Sequence, residues 1–224
     1  MPSLCIARGP ETGLQNLLRT PEGKLSNGRM RGLTILALGL LLASGLPPLH
    51  AEAPVSEAET GFRMHDYRAP VPATAPGATT VDWADVERLI DEKALLLDVV
   101  GLRNFRIRAD GTWIASEARD SLPGAVWLPV VGWGKLEPWE EAYLTQSVEE
   151  LTGNRRDTPI VIFCKVDCWL SWNTAKRLSA LGYSQLYWFP DGTDLWADFG
   201  NPLARVEPYP VDPSIIPAPL VTGE

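Results

Sequence analysis

Residues 157–182 read DTPIVIFCKVDCWLSWNTAKRLSALG. Within them PIVIF (residues 159–163) is a short apolar run of the kind a buried strand requires. Beyond it Trp172, Ala175, Leu178 and Leu181 recur at helical spacing, with polar Asn173, Lys176 and Arg177 between them. Ser171 is placed to cap that helix, because its hydroxyl can accept a free N–H, and Gly182 is placed to end it in the left-handed conformation. A strand therefore stops at a loop carrying Cys164 and Cys168, and a helix N-terminus faces the loop. Unpaired backbone N–H groups and the helix dipole stabilise a thiolate there, so the pattern points to thiol chemistry.

The first 53 residues stand apart from the rest. Arg29 and Arg31 precede an apolar run over residues 33–42, then Pro47-Pro48 and Ala51-Glu52-Ala53. A basic segment, a short apolar segment and an A-x-A site predict a secretory signal cleaved near Ala51 or Ala53. A largely apolar run of ten residues falls short of the roughly 20 that a bilayer crossing needs. Met30 opens this pattern more naturally than Met1. The expectation is an exported, periplasmic protein without a stable membrane anchor after cleavage.

The 224 residues are 21% charged and 45% hydrophobic, which suits one globular domain with extensions. The net charge is −8, and losing residues 1–53, with five Lys/Arg and three Asp/Glu, makes it −10. That balance argues against nucleic acid or an anionic membrane surface as partner. Cys5 and His50 go with the signal, leaving Cys164, Cys168 and His65. In an oxidising compartment the two cysteines can form a disulfide. A Ser-His-Asp triad is disfavoured, because His65 lies in a Pro/Ala-rich arm, residues 54–79, whose GFRMHDYR run suggests that it packs on the body.

The main domain is expected over residues 80–204. Asp82 can cap a helix bearing Trp83, Val86, Leu89 and Ile90, and ALLLDVV (residues 94–100) is a buried strand with Asp98 near its end. Residues 101–120 hold four arginines around Asp110-Gly111 and read as a loop, either solvated or at the mouth of the thiol site. Then follow the AVWLP strand, a helix over residues 137–151 with Trp139, Ala142, Tyr143 and Leu151 inward, the Cys loop and its helix, the QLYWF strand, and a short helix with Leu195, Trp196 and Phe199. Strands separated by helices predict an α/β fold, a parallel sheet with helices on both faces. Ligands of such sheets bind at the carboxyl ends of the strands, where Cys164 falls. Residues 205–224 form a Pro-rich tail expected to wrap the surface.

Asp98-Val99, Leu122-Pro123-Gly124-Ala125, Cys164, Gly182-Tyr183 and Asp191-Gly192 with Trp196 follow one another as the motifs of a rhodanese domain do, so residues 80–204 resemble that family. The runs CKVDCWLSWNTAKRL and YWFPDGTDLW, with the arm GFRMHDYRAPVPATAPGAT, are similar to the rhodanese-like pyrroloquinoline quinone-dependent catabolism-associated CXXCW-motif family. That resemblance implies a periplasmic protein accessory to alcohol oxidation, with a quinoprotein dehydrogenase or its cytochrome system as partner. Two departures from ordinary rhodaneses stand out. Lys165 to Leu170 separate Cys164 from Ser171, a loop longer by one residue, and Val100 stands where many rhodaneses have arginine. Both weigh against ordinary cyanide–thiosulfate sulfur transfer.

The cysteine pair admits several chemistries. Cys164 can carry a persulfide or attack a disulfide with Cys168 resolving it. Lys165 and the helix N-terminus lower the thiol pKa, and Asp167 opposes them. Trp169, Ser171 and Trp172 complete the expected loop and pocket, with Asp98 nearby. The pair can instead be a structural disulfide in a binding module, although so short a loop contributes only about 2 kcal/mol in the chain-entropy model. Two thiolates could also hold Cu(I), but no histidine follows Cys168. No resident metal or cofactor is expected. A phosphate-binding cysteine loop is ruled out because Trp169 and Leu170 stand where it needs arginine. Asp191, Asp194 and Asp198 lack EF-hand spacing.

Overall fold

In the computed structural model the described residues are 61–222. The expected signal segment, Cys5, His50 and the first residues of the arm lie outside them. The parallel sheet is built from β1 (Thr79–Thr80), β2 (Leu95–Asp98), β6 (Val126–Trp127), β7 (Ile160–Phe163) and β8 (Leu186–Phe189), in the spatial order β1-β8-β7-β2-β6. Every neighbouring pair runs parallel. β7 lies at the centre, paired with β2 from Leu95↔Ile160 to Asp98↔Phe163 and with β8 from Ile160↔Leu186 to Phe163↔Phe189. All four of its residues are buried, as expected for a strand covered on both faces.

Successive strand side chains point to opposite faces, and the two cores separate accordingly. On one face Leu97, Ile160, Ile162 and Trp188 pack with Tyr143, Leu144 and Val148 of α2 (Pro138–Thr152) and Ala175 and Leu178 of α3 (Trp169–Ala180). On the other Leu96, Val161, Phe163 and Phe189 pack with Val86 and Leu89 of α1 (Trp83–Asp91) and Trp196 of α4 (Gly192–Asp198). This is the expected α/β fold with helices on both faces.

Four local expectations are corrected. Residues 101–120 are not a plain loop: β3 (Phe105–Arg108) and β4 (Trp113–Ala115) form a hairpin, and β5 (Arg119–Ser121) follows. The tail is woven into the body instead of only wrapping it. β9 (Ala204–Val206) pairs with β5, β10 (Val221–Thr222) pairs with β3, and the Tyr209 carbonyl accepts from Trp113 Nε1 at 2.7 Å and Tyr143 Oη at 2.6 Å. Leu181 is 37% exposed, because α3 stops one residue earlier and Gly182 takes φ +87°. Asn173, expected between the apolar positions on the polar side, is fully buried.

The candidate cysteine site

α3 begins at Trp169, and its N-cap is Cys168, not Ser171. The connection from β7 is thereby shortened to residues 164–168. Ser171, one turn in, is buried and serves packing: its Oγ donates to the Cys168 carbonyl at 3.1 Å and accepts from Trp188 Nε1 at 3.0 Å. Cys164 and Cys168 are joined in a disulfide with Cα atoms 6.1 Å apart. Since the two sulfurs are bonded, both lie at the N-terminus of α3, and the field of the helix does not by itself separate them.

The Cys164 end of the loop is fixed from α4. The Cys164 carbonyl accepts from the Thr193 backbone N–H at 3.1 Å and from Thr193 Oγ1 at 3.4 Å. Gly192 makes this approach possible at φ +57°: a Cβ there would collide with the Cys164 carbonyl, and the left-handed region disfavours other residues. Thr193 in turn accepts from Arg119 Nη2 at 3.3 Å, and Arg119 reaches Asp98 Oδ2 with Nε at 2.8 Å and Nη2 at 2.7 Å. Asp98 is wholly buried and also accepts from Ser121 Oγ at 2.5 Å and the Val100 N–H at 3.0 Å. Burial pushes the Asp98 carboxyl above its ordinary value, and the Arg119 guanidinium, Ser121 and Val100 pull it part of the way back. Asp98 therefore braces the site from behind and does not line it. Of the four arginines in residues 101–120, Arg119 is neither solvated nor at the mouth.

The other end of the loop is held by the arm. Asp167 is exposed and takes φ +50°. Its carbonyl accepts from the Ala69 N–H at 3.1 Å, the Trp169 N–H donates to the Tyr67 carbonyl at 2.9 Å, and Arg68 and Cys168 form an antiparallel bridge. The Trp169 indole donates to the Pro70 carbonyl at 3.2 Å and the Trp172 indole to the Thr74 carbonyl at 3.0 Å. The two rings meet edge to face with centroids 5.3 Å apart and are buried beneath the arm. They are walls of the arm's seat, not of the cleft.

The cleft, about 1240 Å³, opens where β2 and β7 end. Cys164, Lys165 and Cys168 line it from the Cys loop, residues 64–68 from the arm, and residues 100–103 with Trp133 from the far side. Both cysteines are only 2% exposed. Arg103 lies over the Trp133 ring at 4.7 Å, so one of the four arginines does stand at the mouth. His65 also lines the cleft, exposed, with Nδ1 2.8 Å from Asp66 Oδ2. Among the described residues no three His, Cys, Asp or Glu side chains converge as a metal site. Asp194 accepts from the Val166 N–H at 3.3 Å and faces Arg68 at 3.8 Å.

Arg119, Thr193, Trp133 and Asn173 were not singled out for the site from sequence. Only Arg119 carried a signal, as one of the four arginines considered for the mouth.

A parallel α/β sheet that presents a cysteine loop between its central strand and the following helix defines a class of thiol-bearing domains. The chain matches the rhodanese-like domain over residues 82–199, more than half its length, and belongs to that family. No curated protein matches it. Among solved structures it is similar to a thiosulfate sulfurtransferase from Pseudomonas aeruginosa, with 21% identity, TM-score 0.40, 60% of this chain and 22% of that one covered. It is similar also to the polysulfide-sulfur transferase homodimer of Wolinella succinogenes, with 20% identity, TM-score 0.38, and 57% and 79% covered. This chain thus spans about a fifth of the Pseudomonas chain's length.

Proposed function

We propose that the protein is an exported rhodanese-like thiol protein whose Cys164–Cys168 pair cycles between disulfide and dithiol or persulfide, accessory to quinoprotein alcohol catabolism. One observation carries the thiol reading: the two cysteines are bonded to each other and line the cleft at the carboxyl edge of the sheet. Export and the link to a quinoprotein dehydrogenase or its cytochrome system rest on the signal pattern of residues 29–53 and on the CKVDCW and YWFPDGTDLW runs. In the sulfur-carrying step the Cys164 thiolate attacks the outer sulfur of a donor such as thiosulfate, forms a persulfide and releases sulfite. Cys168 then attacks the Cys164 sulfur, closing the disulfide and releasing hydrosulfide. Lys165 beside the pair favours the anionic forms.

A second reading has its own support. The pair is almost wholly covered, which favours a locked structural disulfide in a binding module. Incubating the Cys168→Ser variant, whose Cys164 persulfide has no resolving thiol, with thiosulfate and mass-mapping Cys164, while treating the wild-type disulfide with strong dithiols, separates the two. A gain of one sulfur at Cys164 supports the carrier, whereas no gain, with a pair that strong dithiols cannot open, establishes the module.

A further inference from the structure

The described part of the arm, residues 61–79, is tied down at both ends and seated on the cysteine loop in the middle. At its start Arg63 and Asn173 exchange bonds: the Arg63 N–H donates to Asn173 Oδ1 and Asn173 Nδ2 to the Arg63 carbonyl, each at 3.0 Å. Lys176 Nζ donates to the Gly61 carbonyl at 2.6 Å. At its end β1 joins the sheet beside β8. Between these anchors, residues 65–75 rest on Asp167, Cys168, Trp169 and Trp172.

The two ends of the disulfide loop are unequally fixed. Cys164 continues the central strand and is gripped by Thr193 and Gly192. Residues 165–168 lie outside the sheet and are held by single bonds, the Val166 N–H to Asp194, the Asp167 carbonyl to Ala69 and the Cys168 carbonyl to Ser171. Asp167 holds a left-handed φ that a non-glycine residue adopts only at a cost of roughly 1 kcal/mol. Two thiols cannot stay at bonding distance, so on reduction the sulfurs must separate. With Cys164 held, the displacement falls on residues 165–168, and Asp167 is free to return to negative φ. The Asp167 carbonyl and the Cys168 backbone are among the groups on which the middle of the arm is seated.

We propose that residues 65–75 form a strap that reads the redox state of the pair: the disulfide keeps the strap closed over Trp169 and Trp172, and reduction lifts it. This rests on the pair being reversible, as in the proposed function. A dithiol supplies the two electrons. One of its thiolates attacks a sulfur of the pair, its second thiol displaces the mixed disulfide, and it leaves oxidised while Cys164 and Cys168 take up two protons. Because residues 64–68 also form one wall of the cleft, lifting the strap widens access to the thiols at the moment they become nucleophilic. The exposed indoles then present an apolar surface to a partner that the oxidised form hides.

The test is amide hydrogen exchange with mass spectrometry on the full chain, oxidised and reduced by dithiothreitol, together with the Cys164→Ser/Cys168→Ser variant. Exchange at Ala69 and Trp169 is expected to speed up by an order of magnitude or more on reduction, because each amide loses its hydrogen bond. The strands β2, β7 and β8 should stay protected. Trypsin, which cleaves after arginine, should then cut after Arg68. The double variant should show the open pattern without any reductant, so the strap is tested even if dithiothreitol cannot reduce the pair, an outcome that would refute the reversible function alone. Unchanged protection at Ala69 and Trp169 in the folded double variant overturns the strap.

Discussion

Replacing Arg119 by methionine is the sharpest probe of the brace behind the cysteine loop. The side chains of Asp98 and Arg119 are 0% and 9% exposed, and two guanidinium nitrogens lie within 2.8 Å of one carboxylate oxygen. Methionine fills much of the volume but leaves the carboxylate with only Ser121 and the Val100 N–H. Removing one partner of a buried pair costs about 3–5 kcal/mol. For a chain of this size that is a fall in Tm of roughly 6–20 °C. The pH dependence follows from the direction of the Asp98 shift. A carboxyl that holds its proton more tightly in the folded state stabilises the fold at acid pH, and loses that contribution as pH rises from the ordinary carboxylate range through its raised folded value. Without Arg119 the folded value rises further, so the deficit of Arg119→Met should be largest near neutrality and shrink towards pH 5. Urea unfolding at pH 5 and 7 measures this, and Asp98→Asn/Arg119→Met should recover part of the loss. A deficit under about 1 kcal/mol, or one that grows as pH falls, would refute the account.

Three further outcomes are expected. Gly192→Ala puts a methyl group against the Cys164 carbonyl at a left-handed φ, and should cost about 2 kcal/mol or more in urea unfolding. Asn173→Ala removes three bonds, to both backbone groups of Arg63 and to the Gly132 carbonyl at 2.9 Å. A loss of about 2–3 kcal/mol is expected, with faster amide exchange at Arg63. Ser171→Ala leaves the buried Trp188 Nε1 without its acceptor and the Cys168 carbonyl without its donor, and should cost about 1–3 kcal/mol in urea unfolding.

The central layout was legible because local and global signals agree there. PIVIF, ALLLDVV and QLYWF are apolar runs that a doubly covered strand buries, and the helical spacing of Trp172, Ala175 and Leu178 marks the inward face of α3. What misled was polarity taken residue by residue. Arg119 looks like its three neighbours until the fold sets Asp98 opposite it, and Asn173 looks solvent-facing until the arm supplies a backbone to bond. Each partner lies far away in sequence, 21 residues for Arg119 and 110 for Asn173, and no periodicity carries that information.

The start of α3 shows the same dependence on distant chain. Ser171 is the better N-cap by intrinsic preference, yet the helix starts at Trp169, because the Trp169 N–H that a cap would otherwise leave free is taken by the Tyr67 carbonyl. The arm thus does part of a capping residue's work. That frees Ser171 to hold Trp188 from below, and places a cysteine at the helix N-terminus where a hydroxyl was expected. The arm, which its GFRMHDYR run marks in sequence as packing on the body, therefore helps to determine where the helix begins, and so which environment the second sulfur occupies.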